Sequence, residues 1–265
     1  MKKIIILSAI ISLLSVSCQK EKATPFDTSA GERIQKIWAE TEETLCSAPN
    51  GWAMEFYYGY DLEYGGIMMF MKFDNGSVEI ATEKFDNDYT ATSYYSYAHD
   101  VSATINFDTY NEILHSYSSP SSSNVTGLGG DFEFVILEVS PERIVLRGKR
   151  TYLYYVLTPL PENLSWADQM KDYKQIISEM DRKRNYTFVV DGEIHDAERV
   201  YNGRTKTRNL SYVSEESGET VMLPFVYTFN GIKFYSPITM GEITFQELTW
   251  NGSGFYDDMT GAAIE

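Results

Sequence analysis

Residues 69–80, Met69-Phe70-Met71-Lys72-Phe73-Asp74-Asn75-Gly76-Ser77-Val78-Glu79-Ile80, decide how the chain folds. Two apolar runs flank Asn75-Gly76, the pair that suits a type I′ turn because both central residues take positive φ. The segment therefore reads as an antiparallel hairpin. A second one follows in Phe132-Glu133-Phe134-Val135-Ile136-Leu137, the turn Ser140-Pro141-Glu142-Arg143, and Ile144-Val145-Leu146. Outward from these, short aromatic and β-branched runs between turn residues predict strands near 52–60, 66–73, 77–83, 92–98, 102–107, 131–139, 142–148 and 151–158. Eight strands with short connections predict an up-and-down meander, and closing it into a barrel would remove its exposed edges. Met68, Met69 and Met71 beside Phe70 place apolar groups on both faces of one strand. That predicts a packed interior on one side and a helix or neighbouring subunit on the other. Residues 116–130, rich in Ser and Gly, form a long loop that is either mobile or functional.

A helix precedes this unit. Ser29-Ala30-Gly31-Glu32 fits a capping box, and Ile34, Ile37, Trp38, Thr41 and Leu45 follow at helical spacing until Pro49-Asn50-Gly51 ends the run. Past the corner Thr158-Pro159-Leu160-Pro161-Glu162, Ser165 caps a second helix carrying Trp166, Met170, Tyr173, Ile177 and Met180 on one face. Strands are then predicted at 185–191, 206–213, 220–229, 231–236 and 242–250, with Phe229-Asn230-Gly231-Ile232 repeating the Asn-Gly hairpin device. The expected fold is mainly β with a few helices. It comprises a helix plus a barrel-like, loosely lipocalin-like antiparallel unit over 29–160, and a second helix-plus-β-meander unit over 161–265. The repeated order hints at duplication, although the halves share little residue identity.

The N-terminus carries a different kind of information. Lys2 and Lys3 precede an apolar run, Ile4 to Val16, and Ser15-Val16-Ser17 lead directly into Cys18. This reads as a signal peptide over 1–17, too short for a spanning helix. Cys18 in that place resembles the lipobox cysteine of bacterial lipoproteins, which receives a diacylglyceryl group. The pattern departs from the family's in having Leu14 four residues before the cysteine instead of three. Two acyl chains, at about 0.8 kcal/mol per buried methylene, give a stable anchor. Residues 18–28 then read as anchor and polar tether.

Losing Lys2 and Lys3 would leave 20 basic residues of the 22, against 38 acidic ones, a net charge of −18. Such a chain gains nothing from counterion release, which argues against nucleic acid as a partner. With Cys18 committed to lipid, Cys46 has no intramolecular partner, and its place at a helix end reads as an inert thiol. His99, His115 and His195 lack ligand spacing, Asp86-Asn87-Asp88 lacks the rest of a calcium loop, and no cofactor or metal is expected. There is no nucleophile motif, and Gly127-Leu128-Gly129-Gly130 precedes a strand where a phosphate cradle would want a helix N-terminus. Asp131 and Glu133 share one strand face, compatible with a solvated face or a binding rim. No catalytic residue is expected.

Tyrosines are the positive signal. Tyr57, Tyr58, Tyr60 and Tyr64 form one cluster, and Tyr89, Tyr94, Tyr95 and Tyr97 another. Flat hydroxylated rings suit stacking on sugars, so Tyr57, Tyr58, Tyr94 and Tyr95 are the candidate ligand-binding residues. Tyrosine also bridges core and solvent in ordinary sheets, and both readings stay open here.

Several stretches together resemble a family of Bacteroidetes lipoproteins known as domain of unknown function 4302. They are Ser47-Ala48-Pro49-Asn50-Gly51-Trp52, Phe107-Asp108-Thr109-Tyr110-Asn111, Gly127-Leu128-Gly129-Gly130-Asp131-Phe132-Glu133-Phe134 and Ile144-Val145-Leu146-Arg147-Gly148-Lys149. The resemblance spans roughly residues 30–260. It implies an outer-membrane surface lipoprotein, encoded near TonB-dependent transporters and their nutrient-binding lipoproteins, with no established catalytic residues. In that phylum short charged runs after the lipid cysteine direct surface export, and Gln19 to Lys22 resembles such a run.

The leading expectation is a non-catalytic surface lipoprotein, held in the membrane through Cys18, that binds a nutrient or a partner lipoprotein beside a transporter. One alternative is a lipocalin-like carrier of a small apolar ligand, which needs an open cavity beside Met68–Met71. Another is a hydrolase acting on glycan or peptide, which needs titratable groups converging in one cleft. Cys18→Ala should release the protein from the membrane pellet into the soluble fraction; retention in the pellet would overturn the anchor.

Overall fold

A computed structural model describes residues 28–265 apart from 101, 123, 124, 184, 204 and 216. The expected leader, Cys18 and nearly all of the tether lie outside the described residues. Among those described, no helix is long and apolar enough to cross a membrane.

The first helix, α1 (Ala30–Ser47), starts as its sequence requires. Ser29 N donates to Glu32 Oε2 at 2.8 Å and Glu32 N to Ser29 Oγ at 3.3 Å. Nine strands follow, where eight were expected: β1 (Trp52–Tyr57), β2 (Gly66–Asp74), β3 (Ser77–Thr82), β4 (Ala91–Tyr94), β5 (Ser96–His99), β6 (Ala103–Asn106), β7 (Glu133–Val139), β8 (Ile144–Gly148) and β9 (Tyr154–Pro159). The Asn-Gly hairpin forms as read, with φ of +42° at Asn75 and +90° at Gly76.

The sheet order is β4-β3-β2-β1-β9-β8-β7-β6-β5, so the first and last strands of the meander pair and curl it round. The extra strand comes from a break inside the expected 92–98 strand. Tyr95 alone separates β4 from β5, which makes these chain neighbours the two edges of the sheet. Helix α1 covers this seam. Tyr95 and Tyr97 both donate their hydroxyls to Glu42 Oε2, at 2.9 and 2.8 Å, and Trp38 stacks on Tyr97. Thr41 and Leu45 of α1 face Met54, Met71, Phe107 and Leu157 across a residual space of about 10 Å3. That is room for about one water, so side chains fill this barrel.

The second helix, α2 (Trp166–Arg182), is capped by Ser165 Oγ on Asp168 N at 3.3 Å. It buries Met170, Tyr173, Ile176 and Met180, close to the predicted stripe. Eight strands then form a closed barrel: β10 (Tyr186–Val190), β11 (Glu193–Asn202), β12 (Thr205–Val213), β13 (Thr220–Tyr227), β14 (Gly231–Met240), β15 (Ile243–Trp250), β16 (Phe255–Tyr256) and β17 (Ala263–Ile264). Five were expected; β11, β16 and β17 are additions. Phe188, Phe225, Phe234 and Phe245 pack in its interior with ring centroids 6.2–6.3 Å apart. The hairpin expected at Asn230-Gly231 forms between β13 and β14, but Phe229-Asn230 and not Asn230-Gly231 stand at the centre of its turn. Thr228 N closes the turn on Gly231 O, and Gly231 starts β14, where a Cβ would sit 1.9 Å from Leu248 O. The type I′ position lies instead at Asp191-Gly192, with φ of +51° and +79°.

The two units meet over β1 and β2. Ladder partners share a face, so the register sets Ala53, Glu55 and Tyr57 beside Phe70, Met68 and Gly66 on the outer face. Phe70 packs on Trp166, Tyr173 and Phe229, Tyr57 sits edge-on to Tyr235, and a Cβ on Gly66 would strike Val226. The second face expected for the Met68–Met71 strand is therefore occupied by the chain's own second unit. Lys233 Nζ reaches Glu55 Oε1 at 2.7 Å within this contact, where Glu55 is 9 % exposed. Because removing one partner strands a buried charge, Lys233→Met should cost about 3 kcal/mol in urea unfolding. The double variant Glu55→Met/Lys233→Met should recover most of that loss, and equal losses in the single and double variants would refute the pairing.

Candidate functional site

A cleft of about 940 Å3 opens where the two units part. The first unit contributes Tyr58 and Tyr64 from the β1–β2 connection, Ile67, Glu83 and Lys84 just after β3, and Tyr117 with Leu128. From α2 come Lys174, Ile177, Ser178, Asp181 and Arg182, which recur at spacings of three and four and so share one helix face. Lys206 and Arg208, two apart on β12, share one strand face.

Backbone contacts hold the walls. Arg208 N donates to Tyr64 O at 2.8 Å, and Asn209 Nδ2 donates to Leu62 O and Glu63 O at 3.1 Å each. Gly65, at φ +73°, lets the Arg208 carbonyl approach to where a Cβ would be 2.0 Å away. On the other side Leu128 N and Gly130 N both donate to Tyr117 O, and Gly59 N donates to Gly129 O. The glycine-rich end of the 116–130 loop, the loop expected to be mobile or functional, thus packs closely around Tyr117. Tyr58 and Tyr64 stack at 5.3 Å and 9°, and Tyr117 meets Tyr58 edge-on at 4.8 Å.

The cleft's charge opposes that of the chain. Five cations, Lys84, Lys174, Arg182, Lys206 and Arg208, line it with two carboxylates, Glu83 and Asp181, in a protein of net charge −16. Both carboxylates stand within ion-pair distance of cations, although Asp181 Oδ1 has no hydrogen-bond partner among the described residues. Glu83 Oε2 accepts from Thr82 Oγ1 at 2.9 Å, and its Oε1 lies 3.7 Å from Arg208 Nη2. Asp181 stands 3.6 Å from Arg199 and 4.0 Å from Lys206. Arg182 pairs with Glu179, and Lys174 Nζ donates to Phe85 O at 2.6 Å. Lys84 makes no ion pair among the described residues; its ammonium lies 4.6 Å over the Tyr117 ring. Burial pushes the Lys84 pKa down, against the pull of Glu83. Burial likewise raises Tyr117 well above the ordinary phenol value, and Tyr58 up to about 12. The Tyr117 hydroxyl, on a residue 1 % exposed, has no hydrogen-bond partner among the described residues.

The structure brings only one of the four candidate tyrosines to this cleft. Tyr58 lines it, while Tyr57 is buried between the units and donates to Lys233 O at 3.3 Å. Tyr94 is 66 % exposed on the far edge strand, and Tyr95 is tied to Glu42 in the seam. Asp131 and Glu133 do not share the open strand face expected of them, since Asp131 lies before β7 and is 2 % exposed. Asp131 accepts from Arg150 N, Thr151 N, Thr151 Oγ1 and Tyr155 OH, bracing the β8–β9 turn, and Glu133 pairs with Lys149. No group of three His, Cys, Asp or Glu that could hold a metal occurs among the described residues. The sequence reading missed the cations. Nine of the 22 basic residues fall between 171 and 208, a local reversal of charge that patterning could have exposed.

Fold and site together define a two-barrel β protein, each barrel headed by a helix, with a basic cleft between them. The model of the family described as domain of unknown function (DUF4302) matches residues 22–252, and the chain belongs to that family. No curated protein and no solved structure matches it.

The tyrosine environment sets a pH response. A raised pKa means the folded state holds the phenol proton more tightly than the unfolded chain, whose tyrosines ionise near about 10. Stability from Tyr58 is therefore full below that pH and is lost as pH rises through about 12. Ultraviolet phenolate titration should show a fraction of the 20 tyrosines ionising only with unfolding. Ionisation of all of them in one step, with the fold intact, would contradict the burial described.

Proposed function

We propose that this chain is a non-catalytic, lipid-anchored binding protein of the outer membrane, facing the cell exterior, that captures a soluble nutrient in the inter-unit cleft and works beside a TonB-dependent transporter. The observation that carries the reading is the cleft itself. Its volume of about 940 Å3 lies within the usual range for small-molecule sites, about 300–1,000 Å3. It combines aromatic rings, aliphatic side chains and a few charged groups, the mixture such sites use. Anchor, leader and partner enter from the sequence, through Cys18 and the family resemblance. The filled interior of the first barrel, about 10 Å3, favours this reading over an apolar carrier.

A thermal-shift panel of glycans, peptides, fatty acids and divalent metals on the full chain in detergent tests it. A ligand at one hundred times its Kd stabilises by about 2.7 kcal/mol. At least one glycan or peptide should raise Tm, and Ser178→Trp should abolish the shift. Ser178 is exposed on the α2 wall, so the added indole fills the cleft without entering the core. A flat panel, or a shift indifferent to Ser178→Trp, would sink the proposal.

A further inference from the structure

Resting on the cleft as the binding site, we infer that its ligand is an acidic saccharide, a sugar chain carrying carboxylate or sulfate groups. Three observations converge on this chemistry.

The first is sign. A chain of net charge −16 repels anions, yet the cleft walls hold five cations against two carboxylates. Lys84 pairs with no carboxylate among the described residues, and Lys174 is met only by the Phe85 carbonyl. Arg208 and Glu83 stand at 3.7 Å, beyond hydrogen-bond distance, so donors of the guanidinium remain for an incoming oxyanion.

The second is arrangement. The cations stand on three separate elements, with Lys84 on the first unit, Lys174 on α2, and Lys206 and Arg208 on β12. One compact phosphate would want converging donors and free backbone amides at a helix N-terminus. Here the loop amides that could serve, Leu128 N and Gly130 N, are spent on Tyr117 O. Charges dispersed over three elements of the cleft wall fit a ligand whose own charges are spaced along a chain.

The third is surface. The parallel Tyr58–Tyr64 pair, both half-buried in the cleft wall, offers aromatic surface to the C–H faces of sugars. Nucleic acid would have to bring its whole phosphate backbone against the acidic remainder of the surface. A short acidic sugar meets only the cleft.

Calorimetric titration of the full chain in detergent decides the matter, with digalacturonate and a sulfated heparin disaccharide as acidic probes and lactose as the neutral one. At least one acidic probe should bind, and lactose should bind at least about tenfold more weakly. Raising salt from about 50 mM to about 500 mM should weaken the acidic probe by about tenfold or more. Lys84→Ala should do the same at low salt in a chain that still unfolds cooperatively, since Lys84 makes no ion pair among the described residues and gives up only its contact with the Tyr117 ring. Galacturonate binding against sulfate binding tells which oxyanion is taken. Lactose binding as tightly as the acidic probes, and lost in Ser178→Trp, would overturn the acidic assignment and leave the cleft reading intact. Acidic binding indifferent to both salt and Lys84→Ala would also overturn it. If none of the three binds, the acidic assignment falls, and the broader panel on the same chain decides the cleft separately.

Discussion

Burial of the β1–β2 ladder on both faces is the constraint on which the rest of the molecule depends. A sheet in a small barrel normally turns one face to its core and the other to water, but here neither face is free. Met54, Phe56, Met69 and Met71 fill the first barrel, while Ala53, Glu55, Tyr57, Met68 and Phe70 carry the second unit. Only an unbroken apolar strand with small residues where the partner presses can serve both. Ala53 and Gly66 supply the small positions, and Gly66 admits Val226. The orientation of the second barrel, and so the width of the cleft at the edge of this contact, follows from that floor. Glu55 and Lys233 are costly to bury and therefore specify register more than they add stability.

Legibility in the sequence tracks how local the deciding interaction is. The Asn75-Gly76 hairpin, the Ser29 capping box and the Ser165 cap are decided within a few residues, and all three form. The family resemblance and the mainly β architecture were legible too. The break at Tyr95 was not, because it answers to Glu42, more than fifty residues earlier, and to Gly76, whose carbonyl takes the Tyr95 amide. Strand β11 reads Glu193-Ile194-His195-Asp196-Ala197-Glu198-Arg199, too polar to pass for a strand, since only Ala197 and Arg199 of this stretch are buried. The two-residue β16 and β17 close a barrel through geometry that no window of sequence contains.

The tyrosine candidates scattered for a related reason. Adjacent residues on a strand face opposite ways, so Tyr57 and Tyr58 could not both join one platform. Tyr57 went to the inter-unit contact and Tyr58, continuing the row of Met54 and Phe56, to the cleft. Tyr94 and Tyr95 separated likewise into solvent and seam. Net charge misled in a complementary way. The total of −16 is a property of the whole surface, whereas a site samples a few side chains drawn from distant segments. Lys84, Lys174 and Arg208 lie far apart in sequence, and only the packing of two barrels sets them around one space.

The residues through which the chain resembles its family are, in this structure, mostly braces. Asn50 holds the inter-unit corner, its side-chain amide donating to Pro161 O and Leu164 O while its backbone carbonyl accepts from Trp166 Nε1. Asn111 ties the loop before the 3-10 turn at Leu114–Tyr117 to β4, through Ala91 O and Ser93 Oγ. Asp131 fits the notch left by Gly148, where any Cβ would collide with its carboxylate. None of these three lines the cleft. Buried polar groups of this kind are costly unless fully satisfied, and once satisfied they fix one arrangement of the backbone. A match made through such residues therefore speaks to the shape of the cleft. On the binding role proposed for the cleft, what it would hold depends on Lys84, Lys174, Lys206 and Arg208, which the braces position but do not choose. If the cleft binds as proposed, the ligand of each chain built on this frame would have to be read from its own cleft side chains.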